Sequence, residues 1–193
     1  QEDEEDEDDP GLPGLVATHA QLLSTGRDGL TVVDTAPQRL AMSLASDESP
    51  HPAIPAGRFR TVYMGRLFVQ RAGKYTFRVE TTGGFQLDIG PHKAFNNIGP
   101  EGSELAAAAP TVVELKYGFV PLVATYTKRE PTGAAELRVF WQREGEAEFA
   151  LPIGVLSRER PKAAAKEMPP AAAVSTPPEP TFEQGRRLVA DHR

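Results

Sequence analysis

The chain has 193 residues, contains no cysteine and carries a formal net charge of −6, and Gly and Pro together supply 35 residues. This length suits one ordinary domain with appendages rather than two full domains. The lack of cysteine excludes disulfides, thiolate metal sites and a cysteine nucleophile. No apolar run approaches the roughly 20 residues that a membrane-spanning helix needs, so no membrane span is expected.

The acidic residues are concentrated at the N-terminus, where eight of the first nine residues are Asp or Glu. Removing these eight from the 27 acidic residues leaves 19 against 21 Lys and Arg, so the rest of the chain is close to neutral. A block of like charges repels itself, which predicts a disordered acidic tail over residues 1–13, or alternatively a weak arm that collects cations or a partner. The basic residues are scattered and are not interleaved with aromatic residues, so nucleic acid is not an expected partner.

Residues 14–159 alternate strand-like runs with Gly- and Pro-rich turns. Tyr75, Phe77 and Val79 face one side of such a run, and polar residues between them face the other, which is typical of a strand with one buried and one solvated face. Short strands separated by frequent turns predict an all-β fold, an antiparallel β-sandwich or jelly-roll-like barrel. The same period of two predicts three further inward-facing sets: Leu122, Ala124 and Tyr126; Leu137, Val139 and Trp141; and Thr61, Tyr63, Gly65, Leu67 and Val69.

The single tryptophan, Trp141, falls at the end of one predicted strand. We expect Trp141 to pack in the core, where its indole N–H could reach a loop carbonyl. The alternative is a platform on which a sugar ring stacks.

Two further segments follow the strand-rich region. Residues 160–180 hold six Pro and six Ala. So many prolines cannot continue a helix or pair centrally in a sheet, which predicts an extended linker. In residues 181–193 the spacing of Thr181 and Gln184 is that of a capping box, so a short helix is expected there.

Seven runs of the strand-rich region resemble, in order, the strand motifs of one family. The run 72–79, AGKYTFRV, is similar to that family's "aGxYtFrv" strand, and the others are 63–69, 85–90, 113–118, 121–126, 135–141 and 151–156. Over about residues 14–157 the chain thus resembles the anthrax protective-antigen (PA-fourteen) family of lectin-like β-sandwich domains. The resemblance implies an exported protein, periplasmic or extracellular, with a glycan or cell-surface polysaccharide as partner.

In sugar-binding members of that family, a loop with two successive aspartates holds a calcium ion that contacts sugar hydroxyls. Thr82 and Gly83 stand at those positions in this chain. A hydroxyl and a glycine cannot replace two carboxylates around a divalent ion, so no metal site is expected. Glu130 and Asp88 are the carboxylates that could still contribute to one.

The family's second loop corresponds to residues 128–133, where Lys128 and Arg129 would repel a calcium ion. Three outcomes stay open: calcium-dependent sugar binding, calcium-free contact between sugar and the two loops, and a spacer or docking domain that has lost sugar binding. The candidate ligand-binding residues of the two loops are Thr81, Thr82, Gly83, Lys128, Arg129 and Glu130.

The last residues, 185–193, resemble the first helix of a class I c-type cytochrome. In that family this helix leads into the Cys-x-x-Cys-His motif that attaches haem. The resemblance implies a larger exported protein whose haem and electron transfer are carried by a downstream cytochrome domain, with no cofactor in the present chain. The alternative is an ordinary amphipathic helix.

No catalytic residue is expected. The sequence contains no Gly-x-Ser-x-Gly elbow, phosphate-binding glycine loop or His-Glu-x-x-His motif. Asp88 and Glu114 could meet in space as a glycosidase pair, but no clustering along the sequence favours this. The predicted function is a non-catalytic, exported module of the carbohydrate-binding type, and the alternative is a structural or docking module of a c-type cytochrome.

Overall fold

The computed structural model describes residues 11–97, 106–107 and 110–160, of which most lie in strands. The predicted linker and C-terminal helix, and the acidic run of the predicted tail, lie outside the described residues. One short 3-10 turn spans Ile153–Val155. The strands are Leu12–Pro13 (β1), Leu15–Leu22 (β2), Asp28–Gln38 (β3), Ala41–Leu44 (β4), Phe59–Val69 (β5), Gly73–Thr81 (β6), Gly84–Ile89 (β7), His92–Asn97 (β8), Ala106–Ala107 (β9), Thr111–Leu115 (β10), Gly118–Lys128 (β11), Ala135–Arg143 (β12), Phe149–Ala150 (β13) and Leu156–Arg158 (β14).

The strands form two antiparallel sheets. The first has eight strands in the order β1-β14-β5-β11-β7-β8, with β2 pairing to β5 and β3 pairing to β2. The second has six strands in the order β10-β6-β12-β13, with β4 pairing to β12 and β9 pairing to β6. The prediction of an all-β, antiparallel fold is confirmed.

The core lies between the two sheets and consists of alternate residues of their strands. Tyr75, Phe77 and Val79 of β6 are buried, as the alternation predicts. Burial of each large apolar side chain contributes about 1.5–3 kcal/mol, so these alternating positions supply most of the stabilisation of the fold. The other predicted inward sets are buried as well, apart from half-buried Gly65: Leu122, Ala124, Tyr126, Leu137, Val139, Trp141, Thr61, Tyr63, Leu67 and Val69.

Two details differ from the sequence predictions. The first sheet begins at Leu12, inside the range assigned to the tail, because Leu12 and Pro13 pair with Arg158 and Ser157. A two-residue edge strand containing proline has too few residues to show a period. Trp141 is buried, but its Nε1 finds no acceptor among the described residues. Its ring instead stacks on Tyr75, with a centroid distance of 5.3 Å.

Three connections lie together at one end of the sandwich, which we call the loop end: the β2–β3 hairpin (23–27), the β6–β7 turn (82–83) and the β11–β12 loop (129–134). The strand registers bring them together. Phe59, near the start of β5, pairs with Gln21 of β2 and with Lys128 of β11. The described residues form no helix that could span a membrane.

Candidate functional site

The first predicted loop is the tight β6–β7 turn. The side chain of Thr81 faces inward with its residue 1% exposed. The Thr81 hydroxyl donates to the carbonyl of Gly83 at 3.0 Å and accepts from the Gly83 N–H at 3.2 Å. Thr81 therefore closes the turn from within, and its hydroxyl bonds to the backbone of the turn itself.

The hydroxyl of Thr82 joins this turn to the start of β12. It donates to the carbonyl of Ala134 at 3.1 Å and accepts from the N–H of Glu136 at 2.9 Å. It also lies 3.3 Å from the phenol oxygen of Tyr126. A hydroxyl has one donor and two acceptor positions, so these contacts occupy its hydrogen-bonding capacity. Thr82 therefore supports the loop end rather than offering a free polar group.

Gly83 lies in a space that admits no side chain. A Cβ atom at this position would approach the carbonyl oxygen of Thr127 to 2.6 Å and the phenol oxygen of Tyr126 to 2.9 Å. The position that corresponds to the second aspartate of the calcium loop therefore cannot hold a carboxylate unless the backbone shifts. Asp88 is four residues beyond Gly84 along β7, roughly 13 Å away at the usual rise per residue, so it cannot complete a site there.

In the described part of the chain, no three His, Cys, Asp or Glu residues are grouped so as to hold a metal ion. The expectation of a metal-free loop stays a prediction.

Lys128 was predicted to be a loop residue, but β11 continues through it. The alternation that buries Tyr126 also turns Lys128 inward, and Lys128 is only 4% exposed. Its Nζ finds no hydrogen-bond partner among the described residues, and burial lowers the pKa of the Lys128 ammonium. Lys128 is thus placed under the loops and not on their ligand-facing surface.

Lys128→Met is expected to raise the free energy of unfolding by about 1–2 kcal/mol at pH 7, because a buried ammonium without a partner loses its hydration. Its pKa in the folded state lies below the ordinary value of 10.5. The native chain should therefore gain stability as the pH rises from the folded-state pKa towards 10.5, and the variant should lack this gain. Urea unfolding across this pH range measures both effects. Lys116→Met, at an exposed lysine, is the control, and a Lys128 variant no more stable than native contradicts the prediction.

Arg129 and Glu130 are exposed, and they line a groove of about 450 Å³ at the loop end. Its other polar lining residues include Ser24 and Thr25 of the β2–β3 hairpin, Arg58 and Arg60. Hydroxyl, guanidinium and carboxylate groups therefore lie together on the open surface of this groove.

A second groove of about 390 Å³ continues from the first over the outer face of the first sheet. The two share Arg60, Thr127 and Arg129, and the second also includes Thr125 and Gln86. We refer to the two together as the arginine groove. Sequence inspection missed Arg58 and Arg60, because only the pairing of β5 with β11 places them beside Arg129.

The arginines of this groove have different partners. Arg60 Nη1 contacts both carboxylate oxygens of Asp28 at 3.1 Å. Arg58 Nε donates to the backbone carbonyl of Arg129 at 2.6 Å. Within the described residues, the side chains of Arg129 and Glu130 form no ion pair with each other or with another residue. The Arg58 and Arg129 guanidinium groups therefore remain without a carboxylate partner there.

Two other pockets lie at the opposite end of the sandwich. One, of about 520 Å³, is bordered by Phe68, Phe119 and the 70% exposed Tyr117. The other, of about 230 Å³, is bordered by Trp141 and Phe149. Neither contains any of the sequence-predicted loop residues.

No protein-family model matches the sequence, and no curated protein matches it. Solved structures do match its fold. An anti-sigma factor domain-containing protein from Clostridium clariflavum aligns with a TM-score of 0.60 at 21% identity, over 78% of this chain and 49% of that chain. The present chain thus spans about half the length of that protein.

Two shorter structures are covered almost entirely. The PA14 sugar-binding domain from an RTX adhesin aligns with a TM-score of 0.56 at 16% identity, over 77% of this chain and 99% of that chain. The A domain of epithelial adhesin 6 from Candida glabrata, in complex with Galb1-3GlcNAc, aligns with a TM-score of 0.54 at 12% identity, over 80% of this chain and 91% of that one. The described domain therefore has a PA14-like fold.

Proposed function

We propose that this chain is a non-catalytic module of the carbohydrate-binding type that acts outside the cytoplasm, in the periplasm or at the cell surface. The observation that carries the proposal is the open polar groove of about 450 Å³ at the loop end of a PA14-like sandwich. Two solved structures of this fold are described as a sugar-binding domain and as an adhesin domain in complex with Galb1-3GlcNAc, which supports the proposal.

The groove suits sugar hydroxyls, which both donate and accept hydrogen bonds. Arg129 supplies donors only and Glu130, when ionised, supplies acceptors only, and the two exposed side chains are adjacent in the chain. Ser24, Thr25 and Thr127 add hydroxyl groups that can serve in either role. Binding of this kind needs no metal ion, so it agrees with a turn in which Gly83 has no room for a carboxylate.

Titration of neutral oligosaccharides, followed by amide chemical shifts, tests this proposal. We expect weak, saturable binding that perturbs residues 22–26, 58–60 and 127–130 and is unchanged by a calcium chelator. Glu130→Gln should weaken it, whereas Lys116→Gln, at an exposed lysine distant from the loop end, should leave it unchanged. Failure of every glycan on an array to bind, or shifts confined to the opposite end, would contradict the proposal. Loss of binding on chelation would contradict the calcium-free mode.

A second candidate function is a structural or docking module of a larger exported c-type cytochrome. It is favoured by the hydrogen bonds that the hydroxyls of Thr81 and Thr82 make to backbone carbonyls of the domain. Because these hydroxyls are already bonded, the loop end has two fewer candidate groups to contact a ligand. Haem and electron transfer would then belong to a domain downstream of this sequence. The resemblance of residues 185–193 to a cytochrome helix supports this candidate, although these residues lie outside the described part. The codons that follow Arg193 in the gene test it, because a Cys-x-x-Cys-His motif is required there.

A further inference from the structure

We infer that the arginine groove binds an acidic polysaccharide, whose carboxylate or sulfate groups contact Arg58 and Arg129. This inference rests on the proposed carbohydrate-binding function and specifies its ligand class. It combines Arg129 of the second predicted loop with Arg58 and Arg60, which lie outside both predicted loops.

The strand register brings the three arginines together. Phe59 pairs with Lys128 and Arg60 pairs with Thr127, so the start of β5 lies beside the end of β11. Arg58 and Arg60 are two residues apart, and residues with this spacing in an extended segment project to the same face. Arg129 follows β11 directly and its backbone carbonyl accepts from Arg58. Three guanidinium groups thus border one open groove.

The three arginines of the groove outnumber the carboxylates beside them, which are those of Asp28 and Glu130, so its positive charge is incompletely neutralised. The ion pair of Arg60 with Asp28 is partly exposed, with side-chain exposures of 36% and 44%, and ion pairs of this kind contribute little and exchange readily. Arg58 contacts a neutral carbonyl, and the Arg129 guanidinium forms no ion pair with the described residues. An anionic group placed between Arg58 and Arg129 would therefore be attracted to both side chains. The planar guanidinium fork matches carboxylate and other oxyanions with two parallel hydrogen bonds.

The shape of the groove favours a chain of sugars over a single ring. It extends from the β2–β3 hairpin over β5 and β11 to β7, which is three inter-strand spacings or about 14 Å. Thr125, Thr127 and Gln86 line the part beyond the arginines and can contact neutral hydroxyls. Phe85, the aromatic residue of this lining, is 0% exposed. Single-stranded nucleic acid requires exposed stacking rings, so a polysaccharide fits this surface better.

The test compares binding to polygalacturonate, heparin and neutral dextran by calorimetry at two salt concentrations. We expect binding to one or both anionic polymers, weakening as salt rises, and at least tenfold weaker binding to dextran. A carboxylate ligand favours polygalacturonate and a sulfate ligand favours heparin. Arg129→Gln is expected to weaken binding about tenfold, which corresponds to one charge-assisted contact, and Arg58→Gln/Arg129→Gln more strongly. Arg138→Gln, which removes the same charge from an exposed position on the other sheet, should bind as native.

The outcomes separate this inference from the proposed function. If dextran or other neutral glycans bind as tightly as the anionic polymers, the inference fails and the carbohydrate-binding proposal stands. If no glycan of any kind binds, both fail. If Arg129→Gln binds anionic polymers as tightly as the native chain does, the ligand is not bound in the arginine groove and the inference is overturned. The variant is expected to fold normally, because the Arg129 side chain makes no hydrogen bond within the described residues. Equal affinity for a single-stranded DNA oligonucleotide overturns the selectivity for a saccharide.

Discussion

Gly65→Ala is expected to lower the free energy of unfolding by about 3 kcal/mol. Gly65 lies in the middle of β5, and β14 pairs with the adjacent residues Arg66 and Leu67. A Cβ atom at position 65 would lie 2.4 Å from the carbonyl oxygen of Ser157 and 2.6 Å from a methyl carbon of Leu15. The first of these atoms belongs to a backbone that pairs with β5, so it cannot move away without breaking that pairing.

The expected magnitude follows from two costs. Inserting a methyl group into a well-packed region costs about 1–3 kcal/mol, and separation of β14 from β5 would add to it. Urea unfolding followed by the fluorescence of Trp141 measures the change. Gly154→Ala is the matched control, because a Cβ there meets nothing within 4 Å, and it should alter stability by less than about 0.5 kcal/mol. Equal stabilities of the two variants would show that β14 does not approach β5 as closely as described.

The strands were predictable from the sequence because their side chains face two different environments. In β6, Tyr75, Phe77 and Val79 alternate with polar residues, and all three are buried. The alternation is visible within a single strand, so the buried side of that strand can be predicted without knowing which strands pair with it. By contrast, the alignment with the family's second loop places Lys128 in a loop, whereas β11 continues through it. A lysine at an inward position does not indicate from the sequence that the strand continues.

The candidate site was less predictable because it depends on contacts between distant parts of the chain. The bond from Arg58 to the carbonyl of Arg129 joins residues 71 positions apart. The hydroxyl of Thr82 contacts residues 44 to 54 positions away. The sequence shows which residues are polar, but only the register between strands decides that Thr82 is used internally and that Arg58 lies beside Arg129.

The double substitution Thr82→Asp/Gly83→Asp recreates the aspartate pair of the calcium-binding loop, and we expect it to destabilise the domain by about 4 kcal/mol rather than to create a calcium site. Two effects contribute. Replacing the Thr82 hydroxyl with a carboxylate removes the donor to the carbonyl of Ala134 and places a negatively charged oxygen beside that carbonyl, which costs about 1–3 kcal/mol. A side chain at position 83 meets the carbonyl oxygen of Thr127 at 2.6 Å, and a carboxylate would add repulsion between oxygens.

Thermal unfolding with and without calcium chloride measures this effect. The double variant should unfold at a lower temperature in both conditions, whereas Thr132→Asp, which adds a carboxylate at an exposed position of the β11–β12 loop, should unfold as native. A rise in the unfolding temperature with calcium would contradict the prediction, because an ion that binds only the folded state must stabilise it. We expect calcium not to raise the unfolding temperature, because the space beneath the loops is already occupied. Thr82, Gly83 and the inward-facing Lys128 pack there against other residues of the domain. The proposed ligand recognition at this end therefore uses Arg58, Arg129 and the open groove around them.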